Sequence, residues 1–91
     1  MAVVVKIPTQ LRGAAEGTAE TEIDGATVQE VLDGLFARFG ELRERISNED
    51  GSLRRFVNVY LAGEDIRFLD GLATPVPDGV ELTILPAVAG G

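Results

Sequence analysis

Thr27-Val28-Gln29-Glu30-Val31-Leu32-Asp33-Gly34-Leu35-Phe36-Ala37-Arg38-Phe39-Gly40 is the stretch on which the fold turns. Its apolar residues Val28, Val31, Leu32, Leu35, Phe36 and Phe39 recur at i, i+3, i+4, i+7, i+8 and i+11. That spacing draws one continuous stripe down a helix. Thr27 and Glu30 fit a capping box, in which hydroxyl and carboxylate each satisfy an orphan amide at the helix start. Gly40 is placed to end the helix. Burying each large side chain of the stripe contributes roughly 1.5–3 kcal/mol before the entropy of ordering is subtracted. Leu42 and Ile46 suggest one more turn, and Ser47-Asn48-Glu49-Asp50-Gly51-Ser52 is a polar loop.

Strand patterns flank the helix on both sides. Upstream, Val3-Val4-Val5-Lys6-Ile7 is a β-branched run closed by Pro8, apolar on both faces near its start like a doubly covered central strand. Gly13 and Gly17 bracket a turn, and Thr18 to Ile23 alternates polar with less polar residues as a second strand. Downstream, Phe56-Val57-Asn58-Val59-Tyr60-Leu61 reads as a strand, and Ala62-Gly63 reverses it into a short partner at Glu64-Asp65-Ile66-Arg67. Gly71, Pro75, Pro77, Asp78 and Gly79 mark a compact loop. Val80 to Leu85 is the last strand, and Pro86 stops it because proline offers no amide to a ladder. The order strand, strand, helix, strand, short strand, strand gives an α+β layer arrangement. With the first and last strands central and adjacent, it is the β-grasp, or ubiquitin-like, topology: a mixed sheet of four to five strands packed on one main helix. Residues 1–85 form that domain and 86–91 an extended tail.

Composition narrows the chemistry. The 91 residues contain no Cys and no His, which removes thiolate nucleophiles, disulfides and the commonest metal ligand. A formal net charge of −7 argues against nucleic acid or an anionic membrane as partner. The first residues lack a basic segment followed by a long apolar one, and no run approaches the ~20 apolar residues needed to span a bilayer. A cytoplasmic protein is expected.

No active site emerges from the remaining side chains. The adjacent acids Glu49-Asp50 and Glu64-Asp65 both fall in turns, where carboxylates solvate well and bond local backbone. Asn48-Glu49-Asp50-Gly51 is too short for a calcium loop. Arg54-Arg55 is the one basic doublet: a surface ion-pairing site, or a contact for an acidic partner. Tyr60 is read as a half-buried strand residue and Asp78-Gly79 as the turn into the last strand. Phosphate-cradling glycine motifs are absent.

What remains is the end of the chain, Leu85-Pro86-Ala87-Val88-Ala89-Gly90-Gly91. From Pro86 onward it reaches roughly 20 Å when extended, at ~3.3–3.6 Å per residue. Ala87, Val88 and Ala89 are small and apolar, suited to a dry channel. Two residues without Cβ atoms let a terminal carboxylate enter a slot that a bulkier residue would block. The tail is thus a candidate substrate for another enzyme, with an ordinary frayed terminus as the alternative.

Over almost its whole length the chain resembles the ubiquitin-like sulfur-carrier proteins of the ThiS/MoaD family. The residues that carry the likeness are Ile7-Pro8-Thr9 with Leu11-Arg12, Arg55-Phe56-Val57-Asn58, Asp65-Ile66-Arg67-Phe68, Gly71-Leu72-Ala73-Thr74 and the terminal Leu85 to Gly91. Within the family it is most similar to the carriers of actinobacterial cysteine biosynthesis. Phe39-Gly40 departs from an aromatic–proline pair seen in many relatives, and Val80 stands where an acid is frequent. The resemblance implies that Gly91 is the site of adenylation and thiocarboxylate formation, with Pro86, Ala87, Val88, Ala89 and Gly90 recognised as the tail. It implies an E1-like ATP-dependent adenylyltransferase and sulfurtransferase, a PLP-dependent cysteine synthase using O-phosphoserine, and a metalloprotease that releases cysteine. ATP, PLP and metal would belong to those partners, and the carrier itself would bind no cofactor and catalyse nothing. Within the family, a molybdopterin-synthase small subunit or a thiazole-synthesis carrier would use the same tail. Outside sulfur transfer stand a ubiquitin-like modifier, a tail-independent binding module and an acid-pair hydrolase.

Overall fold

Val3 and Val5 of β1 (Ala2–Lys6) and Leu82 and Ile84 of β5 (Glu81–Pro86) line the middle of the buried sheet face. The computed structural model describes residues 2–55 and 57–86, Pro86 by its backbone. The remaining strands are β2 (Glu20–Asp24), β3 (Val57–Leu61) and β4 (Glu64–Asp65), and the sheet order is β2-β1-β5-β3-β4. The first and last strands are parallel neighbours, with Val4 opposite Glu81 and Lys6 opposite Thr83. β2 runs antiparallel to β1, and β3 antiparallel to β5 with Val57 opposite Pro86. This is the expected β-grasp arrangement.

One sheet face carries the helices. α1 (Val28–Arg38) buries Val28, Val31, Leu32, Leu35 and Phe36, the stripe read from the sequence. Thr27 Oγ1 accepts from the Glu30 amide at 3.2 Å, while Glu30 Oε1 accepts from the Ala26 amide at 3.1 Å. The capping box is therefore displaced, its return bond landing one residue before the cap. The helix passes so close to β2 that a Cβ on Gly34 would lie 2.7 Å from Ile23 Cγ2.

Three readings of local structure need correction. Gly40 does not end the helix: Phe39, at φ −127° and ψ 85°, breaks it, and Gly40 opens a second helix, α2 (Gly40–Ile46). Leu42 and Ile46 are buried from that separate helix, whose changed direction a continuous apolar stripe conceals. The segment after Pro8 is a 3₁₀ helix, Thr9–Ala15, burying Leu11, Ala14 and Ala15, rather than a simple turn. β1 is covered on one face only, because Ala2 and Val4 point to the open side and are half-buried. Strand ends also shift: β2 starts at Glu20, β5 runs through Pro86, and β3 is described from Val57, with Phe56 outside the described residues.

The β3–β4 hairpin turns through Ala62 at φ 51° and Gly63 at φ 86°. Two positive φ values give the turn the twist of its strands, yet alanine is a poor choice for the first of them. Ala62 is exposed, so Ala62→Asn is expected to raise stability by about 0.5–1 kcal/mol, read as a higher urea midpoint at unchanged slope.

Candidate functional site

β5 delivers the chain to its end from the middle of the sheet. Its last residue, Pro86, pairs with Val57 through backbone position, and the strand is held by β1 on one side and β3 on the other. Of the tail residues singled out in the sequence, Pro86 is this last strand position. Ala87, Val88, Ala89, Gly90 and Gly91 lie outside the described residues.

On the open face, side chains alternate away from the helices by the period of a strand. Val4, Tyr60 and Thr83 are half-buried there, and Leu85, the residue before Pro86, is 44% exposed. Tyr60 thus takes the half-buried strand position expected of it. Asn58 sits opposite Leu85 and Tyr60 opposite Thr83, so this half-buried strip runs along β5 towards the point where the tail begins. Glu20, Glu22 and Asp24 of β2 border it. Beyond the sheet edge, Phe68 is 84% exposed and Leu69 lies beside it. The sequence pattern signals neither, because both follow an inward-facing Ile66 in a 3₁₀ turn (Ile66–Phe68).

The acid pairs are occupied with local structure. Asp65 Oδ1 accepts from the Arg67 amide at 2.9 Å and caps that 3₁₀ turn, while Glu64 stands in the two-residue strand β4. Asp78 Oδ1 accepts from the Ala2 amide at 2.8 Å, tying the start of β1 to the turn before β5. Asp50 Oδ1 accepts from Ser52 Oγ at 2.6 Å and from the Ser52 amide at 3.0 Å. These bonds, the hydroxyl's first, favour the ionised form and hold the Asp50 carboxyl below its ordinary value. Its contribution to loop order is therefore present above the unfolded-state pKa and lost as pH falls through the lower folded value. The Asp50 carboxyl carbon is expected to titrate by NMR with a midpoint below that of an ordinary aspartate; a midpoint at or above it would contradict the two bonds.

Among the described residues no three His, Cys, Asp or Glu side chains gather as metal ligands. No described helix is long and apolar enough to cross a membrane. A shallow cavity of about 190 Å³ between α1, α2 and the 47–51 loop has Leu32 and Phe36 for its floor and Gln29, Asp33, Arg43 and Asn48 among its walls. Arg43 stacks over Phe36, 5.9 Å from the ring centre. The described surface thus offers the open sheet face, the end of the last strand and this shallow cavity.

Comparison with known proteins agrees with that geometry. The sequence pattern of the ThiS family matches residues 5–91. The sulfur carrier protein CysO of Mycobacterium tuberculosis is 45% identical over 93 aligned positions, covering 100% of both chains. A chain in the crystal structure of the Amycolatopsis orientalis BexX/CysO complex superposes with a TM-score of 0.91 at 49% identity, covering 99% of this chain and 100% of that one. Small archaeal modifier protein 3 of Haloferax volcanii is 43% identical over 68 residues, 75% of this chain and 73% of its own.

Proposed function

Because the chain belongs to the ThiS family, we propose that it is a sulfur carrier whose Gly91 carboxylate is activated and converted to a thiocarboxylate. The observation that carries this reading is the full-length likeness to CysO, in a chain whose last strand leads to a Gly-Gly end. A carboxylate resists nucleophiles because its oxygen is a poor leaving group. Its oxygen attacks the α-phosphorus of ATP on an adenylyltransferase, and pyrophosphate leaves. Hydrosulfide, or a sulfide-level donor, then attacks the acyl carbon. The carbon–sulfur bond forms, the acyl–oxygen bond to AMP breaks, and a proton is lost to solvent. The product is anionic and soft, so it is a strong nucleophile towards carbon that remains attached to the protein.

The acceptor proposed is the three-carbon unit that a PLP-dependent cysteine synthase makes from O-phosphoserine, with a metalloprotease releasing the cysteine afterwards. Pro86, Ala87, Val88, Ala89 and Gly90 span the partner's channel in this reading, and the strip from Val4 and Tyr60 to Leu85 meets its outer surface. The carrier contributes no catalytic residue or cofactor and works in the cytoplasm with these enzymes. Intact mass spectrometry tests the reading after incubation with ATP, sulfide and the adenylyltransferase of the source organism. Replacement of one terminal oxygen by sulfur is expected; no change with an enzyme active on ATP would overturn it.

The likeness to the archaeal modifier protein supports a second reading, conjugation of Gly91 to lysines. It predicts high-mass adducts in the same incubation supplemented with lysate, in place of the sulfur-for-oxygen exchange.

A further inference from the structure

The cations of this acidic chain are unevenly placed. At the end of the sheet from which the tail departs, Arg12 Nε donates to the Ile7 carbonyl at 3.1 Å. Ile7 follows Lys6, the last β1 residue paired with β5. On the other side of β5, Arg67 Nη2 donates to the Val57 carbonyl at 2.9 Å, and Val57 is the residue opposite Pro86. One guanidinium thus sits on the carbonyl just past β1 and another on that of the first β3 residue, with Glu20 opposite Lys6 the acid of the sheet at this end. Arg54 and Arg55 precede β3 at the same end, both exposed, and Arg54 Nε donates to the Glu44 carbonyl at 2.7 Å. At the opposite end, the described strand termini and turns carry Asp24, Glu64 and Asp78 and no Lys or Arg.

Among the described residues the one ion pair is Lys6 with Glu81, so no carboxylate neutralises Arg12, Arg54, Arg55 or Arg67. Anchoring to backbone carbonyls leaves the other N–H groups of Arg12, Arg54 and Arg67 unused. It also restricts side chains that would otherwise lose rotamer freedom on binding. A planar guanidinium with spare donors matches a carboxylate bidentately. When the tail is extended as the carrier reading requires, the five residues beyond Pro86 would carry Gly91 about 17 Å away, past a Debye length of roughly 8 Å, so the target lies on the partner.

Resting on the carrier reading, we infer that Arg12, Arg54, Arg55 and Arg67 form a basic collar around the base of the tail that docks on Asp and Glu side chains rimming the mouth of the adenylyltransferase's tail channel. A net charge of −7 sets the rest of the surface against an acidic partner, so the collar also orients the encounter, tail end first.

The probe is the adenylyltransferase of the source organism with ATP and sulfide, and the readout is the enzyme concentration giving half-maximal mass conversion. Arg55→Glu breaks no described hydrogen bond, and the double variant R12Q/R67Q removes both flanking charges; thermal melts check that each is folded. Either variant is expected to raise the half-maximal concentration about tenfold or more, with full conversion restored at saturating enzyme. The wild type is expected to weaken with added salt more steeply than either variant. If R12Q/R67Q does not fold, Arg55→Glu alone decides. Unchanged half-maximal concentrations with complete conversion overturn the collar and leave the carrier reading standing. A raised ATP requirement at unchanged enzyme affinity assigns the arginines to a phosphate and also overturns it. No conversion of the wild type overturns both.

Discussion

A chain shortened by Gly90 and Gly91 is expected to show no sulfur-for-oxygen exchange under conditions that convert the full-length protein. The expected effect is total, because in the proposed chemistry the reacting carbon itself is removed to a position that no longer reaches the adenylating site. The same deletion lies beyond β5 and removes no described hydrogen bond or core side chain. Its effect on stability is therefore expected within ±0.5 kcal/mol, checked by denaturant unfolding. Gly90→Val separates reach from fit: it keeps the terminal carboxylate and the length, and adds only a branched side chain. Loss of conversion in that variant identifies a channel too narrow for a side chain, whereas unimpaired conversion identifies the carboxylate alone as what the enzyme requires.

Leu35→Ala is expected to produce the reverse pattern. Leu35 has no exposed surface and sits in the α1 stripe over the sheet. Emptying that site costs about 2–5 kcal/mol through lost transfer energy and the residual cavity. For a domain whose whole stability is of order 5–15 kcal/mol, that is a large fraction. Each kcal/mol lowers Tm by about 4–8 °C at this size. Thermal unfolding followed by circular dichroism measures it, and at low temperature the folded fraction should still be converted at Gly91. A loss below 1 kcal/mol would mean that the helix does not pack on the sheet as described.

The difference between these variants mirrors what was legible in the sequence. The stripe from Val28 to Phe36 announced α1, since a run with helical period has few other ways to bury itself. The break at Phe39 was hidden because Phe39 is itself buried and keeps the apolar spacing across it. Thr9–Ala15 escaped because a short 3₁₀ segment containing Gly13 displays neither the period of a helix nor that of a strand. β2 was legible in kind but shifted at its ends, as Ile23 is its single large apolar anchor. Half-coverage of β1 was missed because valines satisfy a half-buried face as well as a fully buried one. For the site, the glycine end was visible at once, yet its chemistry came through resemblance, since no side chain encodes sulfur transfer. Of the proposed arginine collar only the Arg54-Arg55 doublet showed in the sequence; Arg12 and Arg67 become neighbours of β5 only through the sheet order.

That sheet order also has a mechanical consequence. β5 pairs with β1 over Glu81–Thr83 and with β3 over Leu82–Pro86, so each of its residues has a strand partner. A pull directed along the strand axis would load those backbone hydrogen bonds together, as shear, rather than peeling them one by one. An edge strand under the same pull would carry the load on one ladder instead of two. A tail that works as proposed is thus anchored through a strand held by two ladders.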